Sequence, residues 1–245
     1  MQNLSRRVIP TKGLSNRHIA LWQSHGYYYE SKLARWEWQR ARIFQTVEDL
    51  YTQSYVLPFL VPMLESAGAY VLMPRERDTQ LHEVIIDNDP SYEDNGSLYL
   101  EQNGEQTWTS GSEAGFALDK KQYIKDENPF RQGSFRQVES LKKGAPSIAE
   151  WIPSIPESGE YAVYVSYKTV DNSTTNAIYT IHHNGQTSEF SINQQMGGGT
   201  WVYLGSFFFD AGLNPNVKIS LSNLTGKKGE VVTADAIKIG GGYGN

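Results

Sequence analysis

Cysteine is absent from the 245 residues of this chain, and histidine occurs only five times. The absence of cysteine excludes disulfide cross-links, thiolate metal ligands and cysteine nucleophiles. Basic residues are not in excess either, because the formal net charge is −5 and no basic run interrupts the chain. That balance argues against a protein that binds nucleic acid.

Long apolar runs are also lacking. None reaches the roughly 18 residues that a membrane-spanning helix needs, and the first twenty residues have no apolar core of the kind found in signal peptides. If the natural protein is exported, its signal lies outside this sequence. The composition, with 39% hydrophobic and 12% aromatic residues, is that of a folded protein with one large domain or two modest ones.

The first third of the chain predicts the order strand, helix, strand. An apolar run at 18–23 leads into His25, a helix is predicted with Thr46 as its N-cap, and a second strand is predicted at 69–73. Glu48 falls in the first helical turn, where an acid also suits the positive helix end. A neutral imidazole from His25 and a carboxylate from Glu48 are ligands that suit zinc.

Two prolines and one glycine shape the predicted helix. Pro58 and Pro62 each remove a backbone donor, so the helix must kink or split there. Gly68 is the expected stop signal.

This segment resembles the zinc-dependent N-acetylmuramoyl-L-alanine amidases, which cut peptide from sugar in the bacterial cell wall. The resemblance is carried by Ser24-His25-Gly26, by Glu48 and by Pro74-Arg75-Glu76-Arg77-Asp78. It implies zinc held by His25 and Glu48, with peptidoglycan as substrate. Ser and Pro replace a Gly and a Thr of the family pattern, and the next zinc-binding His and a late catalytic Glu have no counterpart. We therefore expect this chain alone to be inactive as an amidase.

Two residues of that segment are candidates for substrate binding. Tyr27 belongs to an aromatic cluster beside the predicted metal site, where it would stack on sugar or peptide or else cap the core. Arg75 would form a rim that shapes the site, or else belong to a salt-bridged loop.

From residue 84 onward the pattern changes to short strands separated by turns. An acidic stretch, with carboxylates at 87, 89, 93 and 94, does not match the calcium-loop spacing and is predicted to be a solvated loop. Residues 160–167 alternate, so that every second side chain shares one face. Asn184-Gly185 between two strand-like runs predicts a hairpin. Further strands are predicted at 201–209, 217–222 and 231–239, with Asp235 buried and hydrogen-bonded.

The spacing of these strands is typical of an antiparallel sandwich. The region resembles the golvesin C-terminal-like domain, a jelly-roll-type sandwich, through the segments 159–164, 199–205 and 231–237. Proteins that place such a domain inside an amidase-like one are often labelled xanthan lyases. Exposed aromatics that could contact a polysaccharide are Trp108, Trp151 and Trp201, each of which fits a core position at least as well.

The predicted architecture is a partial α/β amidase-like domain at 1–83, an all-β jelly-roll-type sandwich at 84–242 and a linker at 243–245. The predicted function is part of a zinc-dependent amidase-like hydrolase that carries a carbohydrate-binding-like sandwich. The alternative is a polysaccharide-binding module or a xanthan lyase-type polysaccharide-degrading protein. Expected partners are peptidoglycan or another polysaccharide, with no nucleic acid, no membrane span and, by resemblance, an extracytoplasmic location.

Overall fold

The computed structural model describes residues 13–23, 27–30, 32–33, 35–40, 44, 47–73, 80–120 and 127–241. The chain divides into two compact units, Met1–Arg77 with Gly242–Asn245, and Asp78–Gly241. This division lies earlier than the predicted boundary at residue 84. The predicted linker at 243–245 lies outside the described residues.

The described elements are four short helices and eighteen strands. The helices are α1 (Glu48–Tyr55), a π-helix (Val56–Leu60), α2 (Val61–Ser66) and a 3-10 helix (Pro129–Arg131). The strands are β1 (His18–Ala20), β2 (Tyr27–Glu30), β3 (Arg35–Trp38), β4 (Tyr70–Leu72), β5 (Glu83–Ile86), β6 (Leu98–Gln102), β7 (Thr109–Ser110), β8 (Arg136–Glu139), β9 (Ile148–Ile152), β10 (Ser154–Ile155), β11 (Gly159–Val165), β12 (Ala177–His183), β13 (Gln186–Ile192), β14 (Val202–Phe209), β15 (Gly212–Leu213), β16 (Lys218–Ser222), β17 (Val231–Ala234) and β18 (Ile237–Gly240). No helix in the described part of the chain is long and apolar enough to cross a bilayer.

The first unit contains the predicted strand, helix, strand order. β1 and β4 pair in parallel, with Ile19 opposite Val71, and the helical segment connects them. A small apolar cluster is formed by Val56, Val61, Ala69 and Val71. β2 and β3 form a separate antiparallel pair.

The helical segment breaks where the prolines predict. Pro58 lies in the π-helix and Pro62 in the first turn of α2, so neither continues a regular α-helix. The helix begins one residue later than predicted, since its N-cap is Val47, which makes no side-chain cap bond. Its end is a Schellman motif around Gly68, whose φ is 96°. There the amide of Ala69 donates to the carbonyl of Leu64 at 3.1 Å.

The second unit is an antiparallel β-sandwich. A four-stranded sheet has the order β14-β11-β18-β5, a five-stranded sheet has the order β13-β12-β16-β9-β6, and a three-stranded sheet has the order β17-β8-β7. The predicted buried face of β11 is confirmed, because Tyr161, Val163 and Val165 are all 0% exposed. Ala162 and Tyr164 on the other face are only 1% and 4% exposed, so this strand is buried on both faces. Ile181 and Ile219 of the five-stranded sheet are likewise fully buried, and burial alternates along β12 and β16, so this sheet has one buried apolar face.

The predicted hairpin is also present. β12 and β13 pair antiparallel from Ala177↔Ile192 to His183↔Gln186. Asn184 and Gly185, between them, have φ values of 43° and 68°. Positive φ at both central residues is the requirement of a type I′ turn, which asparagine followed by glycine meets well.

The run at 231–239, predicted as one strand, forms two. β17 pairs with β8 in the three-stranded sheet, whereas β18 pairs with β11 and β5 in the four-stranded sheet. The break falls at Asp235, whose carboxylate accepts a hydrogen bond from the amide of Phe116 at 3.1 Å. Asp235 is 1% exposed, so its predicted burial and hydrogen bonding are confirmed.

The acidic stretch after β5 differs from the predicted solvated loop. Asp87 is 7% exposed, and Asp89 accepts hydrogen bonds from the amide and hydroxyl of Ser134. Asp94 is exposed, as predicted. The prediction was wrong for Asp87, because turn-forming neighbours such as Asn88 and Pro90 indicate a loop but do not show on which side of the sheet it folds.

We predict that the second unit folds alone and that its stable form begins at residue 78 rather than at 84. The side chain of Gln80 donates to the carbonyl of Glu160 at 3.3 Å, and the amide of Gly241 donates to the carbonyl of His82 at 2.9 Å. Each such bond contributes about 0.5–1.5 kcal/mol. Denaturant unfolding should show one cooperative transition for each of the fragments 78–241 and 84–241. The longer fragment should have the larger free energy of unfolding. A gradual, non-cooperative transition for 78–241 would contradict the boundary.

The pH dependence of stability should report the buried carboxyl of Asp235. Burial raises the pKa of Asp235 to about 7, while an aspartate in an unfolded chain titrates near 4. Between these values the folded state keeps a proton that the unfolded state releases, so the free energy of unfolding should fall as pH rises from 4 to 7. The limiting slope is about 1.4 kcal/mol per pH unit.

Urea unfolding between pH 4 and pH 8 in metal-free buffer measures this slope. Asp235→Asn keeps an acceptor for the Phe116 amide and removes the titrating group, so its slope should be smaller. The exposed Asp210→Asn serves as the matched control. Equal slopes for wild type and Asp235→Asn would show that the carboxyl titrates normally in the fold.

Candidate functional site

The four residues predicted to form the amidase-like site are only partly described. His25 and Arg75 lie outside the described residues, and of Tyr27 only the backbone, in β2, is described. Glu48 is the first residue of α1 and is exposed. Among the described residues, no group of three histidine or carboxylate side chains is arranged to hold a metal. The zinc site at His25 and Glu48 therefore stays a prediction.

The three tryptophans considered for sugar contact are mainly structural. Trp151 is 0% exposed, and its indole donates to the carbonyl of Asp235 at 3.1 Å. Trp108 is also buried. Trp201 is half-buried and packs on Phe116 and Phe130, at ring-centroid distances of 5.0 and 5.4 Å. These three tryptophans therefore do not form an exposed aromatic surface on which a sugar could stack.

A polar cleft of about 590 Å³ lies at the loop end of the second unit. It is formed by the loop after β7, the loop after β11 and the loop after β13, above β8 and β17. Its lining residues are Ser112, Glu113, Phe135, Gln137, Thr169, Val170, Asp171, Asn172, Ser173, Gln195 and Val231.

The loop after β11 is fixed to β17 by backbone bonds. The amide of Val231 donates to the carbonyl of Asn172 at 2.9 Å, and the amide of Thr174 donates to the carbonyl of Val231 at 2.8 Å. Asn172 has a φ of 61°, and its side-chain amide donates to the carbonyl of Gly229. The hydroxyl of Ser173 accepts from the amide of Val170 at 2.9 Å. The loop that carries Asp171 is therefore held in one conformation by its internal turn and by its bonds to β17.

Gln194 joins the loops on both sides of the cleft. Its side chain is 0% exposed and makes two bonds with Thr233 of β17, donating to the carbonyl at 2.8 Å and accepting from the amide at 2.9 Å. Its backbone amide donates to the carbonyl of Thr174, and its carbonyl accepts from the hydroxyl of Thr169 at 2.9 Å. A buried amide that is fully paired in this way specifies one arrangement of the loops.

The floor of the cleft is apolar. Phe135 is 1% exposed, and Gly111 lies directly against its ring, where an added Cβ would come within 2.0 Å of the ring carbon Cζ. Val170 and Val231 are half-buried beside it. The cleft thus combines an apolar base with polar walls.

Three wall side chains have no internal partner. Within the described part of the chain, no hydrogen bond or ion pair is made by the side chains of Gln137, Asp171 and Gln195. Glu113 also lines the cleft and pairs with the ammonium of Lys168 at 3.1 Å. None of the lining residues is a lysine or an arginine. The cleft is therefore mildly acidic and offers amide and carboxylate groups to a ligand.

Sequence reasoning did not find this cleft. Its residues come from segments far apart in the chain, and none belongs to a motif with a characteristic spacing. The nearest signal was the cluster of turn-forming residues at 171–175, which indicates a loop but no function.

The sandwich is similar to a known domain family. Residues 126–241 match the Golvesin C-terminal domain family. A xanthan lyase from Bacillus sp. (strain GL1) is 32% identical over 96 residues, which are 39% of this chain and 10% of that protein. The chain therefore spans about a tenth of the length of this relative. The golvesin-like resemblance of the second unit is confirmed, whereas the amidase-like resemblance of the first unit stays a prediction.

Similar solved structures include a xanthan lyase and two carbohydrate-binding modules. The Paenibacillus xanthan lyase is 27% identical with a TM-score of 0.47, covering 64% of this chain and 13% of that one. The C-terminal CBM6 of LamC from Zobellia galactanivorans is 16% identical with a TM-score of 0.31, covering 58% and 99%. The CBM35 of Cellvibrio japonicus Abf62 is 20% identical with a TM-score of 0.31, covering 57% and 98%. Because all three TM-scores are below 0.5, no residue role is transferred from these structures.

Proposed function

We propose that the second unit binds polysaccharide through the polar cleft and that this chain belongs to an extracytoplasmic protein that degrades polysaccharide. The observation that carries the proposal is the set of partner-free side chains, Gln137, Asp171 and Gln195, above an apolar floor. The match of the golvesin family at 126–241 includes all three of these residues. The xanthan lyase relative supports polysaccharide as the class of ligand.

The chemistry of the walls suits sugar hydroxyls. Each hydroxyl is both a donor and an acceptor, and a carboxylate beside amide groups satisfies both roles. The half-buried side chains of Val170 and Val231, above the fully buried Phe135, give the apolar face of a sugar ring a surface to contact. Preorganised loops reduce the ordering that binding would otherwise require, so even a few hydrogen bonds contribute to affinity.

The charge of the cleft selects among sugars. The ammonium of Lys168 compensates Glu113, whereas Asp171 has no paired cation among the described residues, so an anionic group beside Asp171 would be repelled. Neutral sugar units of a polysaccharide are therefore the proposed ligand. Their binding should depend little on ionic strength, because no charge pair forms across the interface.

Catalysis is not assigned to the cleft. A zinc amidase in the first unit rests on the resemblance of residues 18–78 alone, and a lyase would need a base with a neutralising partner beside a sugar groove. The described lining of the cleft contains no histidine, lysine or arginine to act as such a pair. Binding is thus the function that the geometry supports best.

We predict that substitutions in the cleft weaken binding to xanthan and to neutral glucans. Gln137→Ala and Gln195→Ala should each reduce affinity about 2- to 10-fold, the value of one neutral hydrogen bond. Asp171→Asn should reduce it roughly 10-fold or more, because bonds to charged groups are stronger. Affinity electrophoresis and calorimetry of the full chain measure these effects, at 50 mM and at 500 mM salt.

Two control variants are matched to these changes. Gln186→Ala and Asp210→Asn remove the same groups at exposed positions away from the cleft and should leave affinity unchanged. Equal weakening by the cleft and control variants would contradict the assignment. So would binding that disappears at 500 mM salt, since that result would require charge pairing.

A further inference from the structure

The end of β5 leads into a group of buried oxygens that the fold leaves without partners. Asp87 is 7% exposed, and among the described residues neither of its carboxylate oxygens accepts a hydrogen bond of ordinary geometry, although the backbone amides of Asn88 and Asp89 lie nearby. The side-chain oxygen of Asn88 is buried and lacks a partner in the same way. Buried polar atoms in folded proteins are nearly always satisfied, so three such oxygens on adjacent residues point to a ligand.

The residues that carry these oxygens belong to the lining of an acidic cavity. The cavity measures about 350 Å³ and is lined by Asp87 and Asn88 together with Asp89, Glu93 and Asp94, among others. None of its lining residues is a lysine, an arginine or a histidine. It shares no lining residue with the polar cleft.

Electrostatics favours a cation here. The buried carboxylate of Asp87 has the carboxylates of Asp235 and Asp89 as its charged neighbours, and both carry the same sign. A carboxylate at this position is therefore strongly destabilised unless a positive charge compensates it.

The surrounding contacts hold the donors in place. Asn88 donates through its side-chain amide to the hydroxyl of Ser134 at 2.9 Å, which directs its oxygen away from that contact. The Ser134 hydroxyl donates in turn to Asp89 at 2.8 Å. Asn95 donates to the carbonyl of Ile85 at 2.9 Å and so fastens the far side of the loop to β5. Such supporting bonds orient ligands at metal sites.

We propose that Asp87 and Asn88 bind a calcium ion at the end of β5. All the available donors are oxygens, which hard cations prefer, and the chain contributes neither thiolate nor imidazole at this cavity. Calcium fits better than magnesium because it accepts flexible sets of six to eight oxygens, including amide and backbone carbonyl oxygens and water. Those donors are needed, because no three carboxylate or histidine side chains in the described part of the chain converge on one point.

The ion would fasten the first strand of the sandwich to the loop that follows it. Asp87 leads directly out of β5, which pairs with β18 at the edge of the four-stranded sheet. The loop reaches Ser134 through Asp89. Calcium would thus connect the start of the second unit to the segment before β8, independently of sugar binding in the cleft.

Thermal unfolding and calorimetry of the full chain test the proposal. The protein is stripped with EDTA at pH 7.5 and titrated with calcium chloride, with magnesium chloride in parallel. We expect one calcium per chain and a rise in Tm of roughly 5–10 °C at a 100-fold excess over Kd. Magnesium at the same concentration should give a smaller rise.

Single substitutions test which residues bind the calcium ion. Asp87→Asn should weaken calcium binding at least about 100-fold, and Asn88→Ala should weaken it several-fold. Asp210→Asn serves as the control and should bind as wild type does. In EDTA, Asp87→Asn should be no less stable than wild type, because it removes a buried acid that lacks a partner. No calcium-dependent rise in the wild type, or an equal rise in Asp87→Asn, would overturn the proposal.

Discussion

Asp235 occupies the position on which the sandwich depends most. It follows β17 of the three-stranded sheet directly and leads, through Ala236, into β18 of the four-stranded sheet. Its carbonyl accepts from the indole of Trp151 in the five-stranded sheet. Its carboxylate accepts from the amide of Phe116, which fixes the loop before the 3-10 helix. One buried residue therefore links three sheets and a covering loop.

The cleft depends on this arrangement through β17. Thr233, two residues before Asp235, exchanges both of its backbone hydrogen bonds with the side chain of Gln194. Gln194 in turn positions the loops that present Asp171 and Gln195. The strand that changes sheets is thus also the support of the binding loops, so a disturbance of its register would alter the cleft as well as the core. We therefore expect a change that displaces β17 to lower both the free energy of unfolding and the affinity for the ligand.

The regular parts of the sandwich could be predicted from the sequence because they obey short-range rules. Alternation at 160–167 predicts a strand and its buried face, and Asn184-Gly185 predicts a type I′ turn, since both depend only on neighbouring residues. Burial of the second face of this strand, at Ala162 and Tyr164, depends on tertiary packing. The change of sheet at Asp235 could not be predicted in this way, because 231–239 keeps the same apolar character in both strands. Only the hydrogen bonds to Trp151 and Phe116, distant in sequence, reveal the break.

The sites were harder to predict than the fold, for the same reason. Gln137, Asp171 and Gln195 are ordinary polar residues whose proximity results from three separate loops. Asp87 lies in a segment with the composition of a solvated turn, yet tertiary packing buries it. In contrast, His25 and Glu48 were proposed from their predicted places at a strand end and in the first helical turn, together with the family resemblance, and the zinc site they would form stays a prediction.

Hydrogen–deuterium exchange of the full chain, with and without xanthan, tests the central claim that the polar cleft is the binding surface. We predict slower exchange in peptides that contain 111–113, 169–173 and 194–199, with no change in peptides covering the outer face of β12 and β13. Protection confined to β12 and β13, or to the first unit alone, would contradict the claim and place the sugar elsewhere on the chain.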